Sequence, residues 1–124
     1  MDLTETRTAH PNLIVAADAG SCTIRSTVYQ QSLIIPSHNP VTTIALNQVS
    51  DLSRDLLEDL CDHEPELVIL ATGDHILFPE PDVLEPLVNN HIGLEVLSNQ
   101  AAARTFNVLL AESRRAVCLM LLAG

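Results

Sequence analysis

The second half of the chain alternates short apolar segments with amphipathic ones, a rhythm that predicts strands and helices in turn. The predicted strands are residues 67–71, 93–97 and 116–122. A helix capped at Asp82 and ending near Asn90 is predicted between the first two strands. A second helix, capped by Ser98 or Asn99 and ending near Arg114, is predicted between the last two. Because crossovers of this kind join parallel strands, we expect the three strands to lie parallel in one sheet.

A further helix is predicted immediately before this half of the chain. Ser50 or Asp51 is its expected cap, and Asp62 is its expected last residue. Leucines recur along it at every fourth position and form one apolar stripe, which is typical of a helix that covers a sheet. These leucines are Leu52, Leu56 and Leu60.

The N-terminal third favours strands with short connections. The β-favouring runs are residues 13–16, 22–25, 28–35 and 42–46. Short connections favour antiparallel pairing, so these strands either extend the main sheet or form a small second layer. The whole pattern predicts an α/β fold, with a mixed central sheet, a β-rich N-terminal third, a β-α-β-α-β C-terminal part and helices covering the sheet.

Length and composition indicate one globular domain. The chain has 124 residues, of which 47% are apolar, and a domain of that size buries enough surface to fold without disulfides or metals. We place the domain at residues 12–124. Residues 1–11 are polar and end at Pro11, so we expect them to form a flexible arm.

The acidic charge of the protein narrows the classes of partner. All six cationic residues are arginines, and they stand against sixteen Asp and Glu for a formal net charge of −10. Nucleic acids and anionic membranes both bind through cationic residues, so we expect neither as a partner. The longest apolar run, residues 116–123, is less than half of the roughly 20 residues that a spanning helix needs. We expect a cytoplasmic protein, since the polar N-terminus also lacks a secretory-signal pattern.

No residue pattern of known catalytic or metal-binding use occurs in the sequence. The nucleophile-elbow, phosphate-loop and dinucleotide-binding motifs are absent, and the five dispersed histidines form no closely spaced pair,. Cys22, Cys61 and Cys118 are odd in number and widely spaced, which favours reduced thiols over a disulfide framework. We therefore predict no catalytic residue, no metal and no cofactor, although sixteen acidic residues leave a catalytic carboxylate pair open.

A candidate ligand pocket lies where the first two parallel strands are predicted to end, because ligands of open α/β sheets bind there. Its residues are Thr72, Gly73, Asp74, His75, Ser98 and Asn99. Both segments precede helix starts, where free backbone N–H groups favour a carboxylate or a phosphate. The alternative interpretation is ordinary turn and cap chemistry, and the net charge of −10 supports it against an anionic ligand,.

A candidate partner surface lies on the last helix, opposite the face that we expect to be buried. The expected buried residues are Ala102, Phe106, Leu109 and Leu110, and the candidate surface comprises Arg104, Asn107, Val108 and Ala111. Val108 and Ala111 are apolar, so a partner protein or a second copy of the chain could cover them. Scattered apolar surface residues, which are common in proteins, are the alternative interpretation.

Several segments of the second half resemble a widespread domain of unknown function. These segments are LVILATGD at residues 67–74, Phe78-Pro79, IGLEV at residues 92–96 and AARTFNVLLAE at residues 102–112. The eukaryotic members of that family are the mitochondrial complex I (NADH:ubiquinone oxidoreductase) assembly factor 3 group. The resemblance implies a compact α/β domain with a mixed sheet. It implies no established activity for prokaryotic members, and assembly of a membrane complex by protein contact for mitochondrial ones.

The sequence departs from this family pattern at a few positions. Ala71 and Ser113 stand where glycine is usual, Phe106 stands where tyrosine is usual, and residues 97–99 replace a Met-x-Thr turn. A mechanism that needs the tyrosine hydroxyl therefore has no support here. We expect a non-catalytic protein-binding or assembly module, and a small-molecule or enzymatic site at the strand ends is the alternative.

Overall fold

The computed structural model describes residues 10–123 and confirms a mixed α/β fold. Its strands are β1 (Ile14–Ala17), β2 (Cys22–Ile24), β3 (Thr27–Tyr29), β4 (Leu33–Pro36), β5 (Thr42–Thr43), β6 (Leu67–Ala71), β7 (Gly93–Leu97) and β8 (Ala116–Met120). Its α-helices are α1 (Arg54–Cys61), α2 (Glu85–Asn89) and α3 (Asn99–Ala111). The first nine positions of the predicted flexible arm lie outside the described residues.

Five strands form the main sheet in the order β5-β4-β8-β6-β7. β6 pairs in parallel with β7 on one side and with β8 on the other, so the predicted parallel trio is confirmed. β4 pairs antiparallel with β8, and β5 with β4. Every residue of β8 and four of the five in β6 are buried, which explains why these two sequences are continuously apolar,.

The first three strands form a separate antiparallel sheet in the order β1-β2-β3. A bulge interrupts β1 between Ile14 and Ala16. Ile14, Cys22 and Ile24 bury their side chains in the same core as α3. The N-terminal third therefore does both things that the sequence allowed, because β1–β3 form a second layer while β4 and β5 extend the main sheet.

The prediction of one strand over residues 28–35 is wrong. The chain leaves the small sheet after Tyr29 and enters the main sheet at Leu33. Between them, the buried Ser32 accepts the Leu122 N–H on its Oγ at 2.8 Å and the Ile44 N–H on its carbonyl at 2.9 Å. These long-range bonds fix the crossing between the two sheets. The strands predicted to reach residues 46 and 122 are also shorter, ending at residues 43 and 120.

The predicted start of α1 is also wrong. Ser53 caps this helix, since its Oγ accepts the Leu56 N–H at 3.2 Å. The expected caps, Ser50 and Asp51, lie instead in a 3-10 turn. Leu52 follows in an extended conformation, and its side chain enters the core. The chain therefore restarts as an α-helix only after that buried leucine.

The segment before α2 differs in a similar way. Asp82 caps no helix and lies inside a 3-10 turn, Pro81–Leu84. α2 begins at Glu85, and Pro86 occupies its first turn, where the missing N–H costs no hydrogen bond.

The start of α3 is as predicted, because Ser98 Oγ accepts the Ala101 N–H at 3.3 Å. The helix ends at Ala111 rather than near Arg114. Ser113 has a φ of +57°, in the left-handed region, and a right-handed helix cannot continue through such a residue,.

Two cores lie on opposite faces of the main sheet. The first, around Ile69, Cys118 and Phe106, is closed by α3 and the small sheet. The second, around Val68 and Leu119, is closed by α1 and α2. Neighbours along β6 and β8 alternate between these cores, as the two-residue period of a strand requires. No helix among residues 10–123 is long and apolar enough to cross a membrane.

Candidate functional site

The predicted pocket residues meet at one edge of the main sheet. Thr72 and Gly73 follow β6, while Ser98 and Asn99 follow β7. The Thr72 N–H donates to the Leu97 carbonyl at 3.1 Å, which extends the parallel pairing past the strand ends. The topology therefore brings together the two segments that the sequence assigned to one site.

Asn99 joins four segments of the chain. It is 1% exposed, and its Oδ1 accepts the Gly73 N–H at 2.8 Å. Its Nδ2 donates to the Asp18 and Leu121 carbonyls, both at 2.9 Å. Since these bonds engage both ends of the amide, Asn99 acts as an internal cross-link. Ser98 Oγ is likewise engaged as the cap of α3.

Thr72 holds the loop that leaves the sheet edge. Its Oγ1 donates to the His75 carbonyl at 2.6 Å and accepts the Leu77 N–H at 3.2 Å. Asp74 and His75 are exposed between these contacts. Gly73, with a φ of +95°, makes the bend in a conformation that side chains rarely adopt,.

Three large apolar side chains follow this anchor and point to solvent. We call them the apolar loop: Ile76, Leu77 and Phe78, which are 52%, 55% and 70% exposed. Pro79, directly after them, is buried and returns the chain to the protein. Sequence reasoning missed this surface. The available signal was a run of three apolar residues placed between a polar turn and a proline, without the length of a core strand.

A groove of about 380 Å³ runs beside the apolar loop. We call it the loop groove, and its lining residues are Gln48, Val49, Ser50, Leu52, Leu77, Phe78, Pro79, Glu80 and Val83. Leu52 belongs to the second core and is 7% exposed, so the floor of the groove reaches the packed interior. The site thus combines exposed apolar side chains with a concave apolar surface.

The candidate partner surface on α3 is only partly directed to solvent. Arg104, Val108 and Ala111 are exposed. Asn107, however, packs against β1, where its Oδ1 accepts the Ile14 N–H at 2.9 Å and its Nδ2 donates to the Ile14 carbonyl at 2.8 Å. The amide takes the place of a neighbouring strand at the open edge of β1, which protects that edge from pairing with another chain.

The thiols differ in their access to solvent. Burial raises the pKa of Cys22 to about 12 and raises that of Cys118 well above its ordinary range. For Cys61, partial burial comes first, and the charges of Asp62 and Glu58 then raise its pKa further. All three are free cysteines. None is a low-pKa nucleophile of the kind that catalysis requires.

Other titratable groups serve local turns. The backbone N–H groups of Gly20 and then Ser21 lower the pKa of Asp18, whose Oδ1 accepts both. Partial burial, and next the charge of His38, lower the pKa of His10. Within residues 10–123, no three His, Cys, Asp or Glu side chains converge as metal ligands would.

Comparison with known protein families shows which family the chain belongs to. Residues 14–122 match the family described as a protein of unknown function, DUF498/DUF598. The chain belongs to the DUF498/DUF598 family. Membership covers nearly the whole described fold and assigns no activity. The comparison with curated proteins found no match.

Solved structures share the DUF498/DUF598 fold. A Xanthomonas campestris protein solved by NMR is 32% identical, covering 90% of this chain and 84% of that one, with a TM-score of 0.81. A Bordetella parapertussis protein in a crystal structure is 27% identical over 93% of this chain and 98% of that one, with a TM-score of 0.84. A Bordetella pertussis protein described as an Mth938-like domain shows the same fold, at 24% identity, coverage of 94% and 89%, and a TM-score of 0.80.

Two of the positions at which the sequence departs from the pattern of the family that it resembles have a structural meaning. Ser113 occupies a left-handed backbone position, which explains why glycine suits it better,. Phe106 is 0% exposed within the first core, so its ring serves packing and reaches no surface where a reaction could occur.

Proposed function

We propose that this DUF498/DUF598 protein is a non-catalytic protein-binding module whose contact surface is the apolar loop. One observation carries the proposal, namely that Ile76, Leu77 and Phe78 are consecutive and each more than half exposed. Covering such side chains with a partner contributes up to roughly 1.5–3 kcal/mol each. Contiguous exposed apolar surface of this kind is typical of protein interaction sites.

The way the loop is held supports binding by a preformed surface. Thr72 Oγ1 bonds to two backbone groups of the loop, and Gly73 is bonded in both directions to Asn99. A loop that is already ordered loses less conformational entropy when a partner binds. We therefore assign the candidate pocket residues a structural role, in which they support the apolar loop.

We extend the proposal to an assembly role, in which the protein brings parts of a larger complex together by contact. The support is the resemblance to the complex I assembly factor 3 group, carried by residues 67–74 and 102–112. We place the protein in the cytoplasm, and three free cysteines support a compartment that keeps thiols reduced,.

The exposed part of the α3 surface is the alternative contact, in place of the apolar loop, for a partner or for a second copy of the chain. Arg104, Val108 and Ala111 form it, and Asn107 positions the adjacent strand. The alternative function is small-anion binding or catalysis at the six pocket residues. Its support is their convergence at the edge where parallel strands end,.

Capture of partners, followed by affinity measurements on variants of the protein, tests which surface makes the contact. The full chain is cross-linked to partners in an extract of its source cells, and a captured partner is purified and titrated against variants. Leu77→Ser with Phe78→Ser should weaken binding by about a hundredfold or more. The matched control is Val15→Ser with Val28→Ser, which changes two side chains of similar exposure, 61% and 60%, on the small sheet. The control should bind like the wild type.

Two further arms separate the alternatives. Loss of binding in Arg104→Glu with Val108→Asp, while the loop variant binds normally, would move the contact surface to α3. A thermal shift with phosphate or acetate that Asp74→Ala and His75→Ala abolish would support the small-anion alternative.

A further inference from the structure

We infer that the occupant of the loop groove is a cationic amphipathic segment of the partner protein. The inference rests on the proposed function, because it specifies the chemistry of the partner at the same surface. Its basis is the combination of an apolar groove with exposed carboxylates on the segments that form it, none of which pairs with a residue between 10 and 123.

The groove suits the apolar side of such a segment. Five apolar side chains contribute surface to it, namely those of Val49, Leu52, Leu77, Phe78 and Val83. Amphipathic helices bind proteins by inserting a few apolar side chains, spaced three or four residues apart, into grooves of this kind. Its volume of about 380 Å³ is sufficient for a small number of such side chains,.

Carboxylates are exposed along the chain segments that line the groove, and one of them, Glu80, lines it directly. Asp51, Glu80 and Asp82 are exposed on the segments that form it. None of the three forms an ion pair with any residue between 10 and 123. Arg54, the arginine nearest to Asp51 along the chain, is already paired with Glu85 at 3.4 Å. A cationic partner therefore meets three carboxylates whose charge the described residues leave uncompensated.

The same charges disfavour the other occupants. An acidic or neutral segment would desolvate these carboxylates without replacing their hydration, which is unfavourable. A second copy of the chain carries the same net charge of −10, so two groove borders repel each other. An anionic membrane is repelled for the same reason.

Three designed peptides test the inference on the full chain. Each has about 18 residues, or five helical turns. The first places Leu on one face and Lys on the other, the second replaces every Lys by Glu, and the third scrambles the first so that no apolar face forms. Fluorescence anisotropy measures affinity at about 0.05 M and 0.3 M salt. The Leu/Lys peptide should bind, more weakly at the higher salt, and the other two should bind at least about tenfold more weakly.

Matched variants decide whether the groove itself binds the peptide. The groove variant is Asp51→Asn, Glu80→Gln and Asp82→Asn. The control variant is Glu58→Gln, Asp59→Asn and Glu95→Gln, which changes net charge equally at exposed positions on α1 and β7, outside the lining of the loop groove. The groove variant and Phe78→Ser should each bind the Leu/Lys peptide at least about tenfold more weakly, and the control should change little. Equal loss in the groove and control variants would overturn the inference, because it would indicate attraction to net charge alone.

The failure of the inference is distinguishable from the failure of the proposed function. If a captured partner needs Phe78 but binds equally well to the groove variant at both salt concentrations, the apolar loop remains the contact surface and the cationic occupant is wrong. If no captured partner depends on Leu77 or Phe78, the proposed function itself is wrong. Wild-type self-association that Phe78→Ser abolishes would assign the groove to a second copy and overturn the inference.

Discussion

Gly73 and Asn99 hold each other through two hydrogen bonds. The Gly73 N–H donates to Asn99 Oδ1 at 2.8 Å, and the Asn99 N–H donates to the Gly73 carbonyl at 2.8 Å. This pair closes the edge of the sheet where β6 and β7 end. It fixes the start of the chain segment that carries the apolar loop, so the fold and the proposed contact surface depend on the same two residues.

Asn99→Ala should destabilise the protein strongly. It removes one bond from Gly73 and two to the Asp18 and Leu121 carbonyls. At about 1 kcal/mol for each bond, and more for buried groups left unpaired, we expect a loss of about 3 kcal/mol in the free energy of unfolding. Urea denaturation measures it, with the exposed neighbour Gln100→Ala as the control. A loss of less than about 0.5 kcal/mol would show that Asn99 is no cross-link.

Thr72→Val should loosen the apolar loop while leaving the global fold intact. The change keeps the shape of the side chain but removes the hydroxyl that bonds to His75 and Leu77. We expect a loss of about 1 kcal/mol and faster hydrogen exchange at the Leu77 amide, because that amide loses its acceptor. Thr72→Ser, which retains the hydroxyl, should behave like the wild type. Unchanged exchange at Leu77 in Thr72→Val would refute the anchoring role.

Ser113→Gly should stabilise the protein. Ser113 has a φ of +57° directly after α3, and a side chain in this region costs about 1 kcal/mol. We expect a gain of roughly 0.5–1 kcal/mol in the free energy of unfolding, measured by thermal and urea denaturation. Ser113→Ala retains the Cβ atom and should give no such gain. Equal effects of glycine and alanine would place the origin of any change elsewhere.

The three thiols should react in a fixed order. In the native protein a thiol reagent should modify only Cys61. The reaction should be slow, because burial and two neighbouring carboxylates raise the pKa of this thiol. Cys22 and Cys118 should react only after unfolding, since both are buried. Rapid modification of three thiols in the native state would contradict the packing of the first core.

The same thiols give a pH dependence. Burial raises the pKa of Cys22 from 9.0 to about 12 in the folded state, so the folded protein holds a proton that the unfolded chain releases above about pH 9. The protonated Cys22 thiol contributes fully to the free energy of unfolding below about pH 9, and this contribution is lost as the pH rises towards 12,. Cys22→Ala should remove this part of the alkaline loss of stability in urea titrations.

The sequence predicted the central part of the fold well because burial there follows a simple rule. β6 and β8 are covered on both faces, and continuous apolar runs identify such strands without knowledge of their neighbours. The convergence of Thr72 with Ser98 followed from parallel pairing alone. The predicted strand over residues 28–35 failed because Ser32, a residue with no strong local signal, is fixed by contacts with Ile44 and Leu122.

The details of the candidate site could not be predicted from the sequence, because they too depend on contacts between distant segments of the chain. The function of Asn99 depends on three segments that are distant along the chain, around Asp18, Gly73 and Leu121. A helical wheel placed Asn107 opposite the core, but it could not show that β1 lies beside that face. The apolar loop was missed because an apolar run alone does not tell whether a segment enters a core or leaves it.

Amide chemical-shift mapping by NMR tests the central claim most directly. The labelled full chain is titrated with a partner identified by the capture experiment. We predict that the perturbed amides cluster at Ile76, Leu77 and Phe78 and along the loop groove at residues 48–52 and 80–83, while residues 104–111 on α3 stay unchanged. Perturbations centred on α3, with the apolar loop unaffected, would contradict the account.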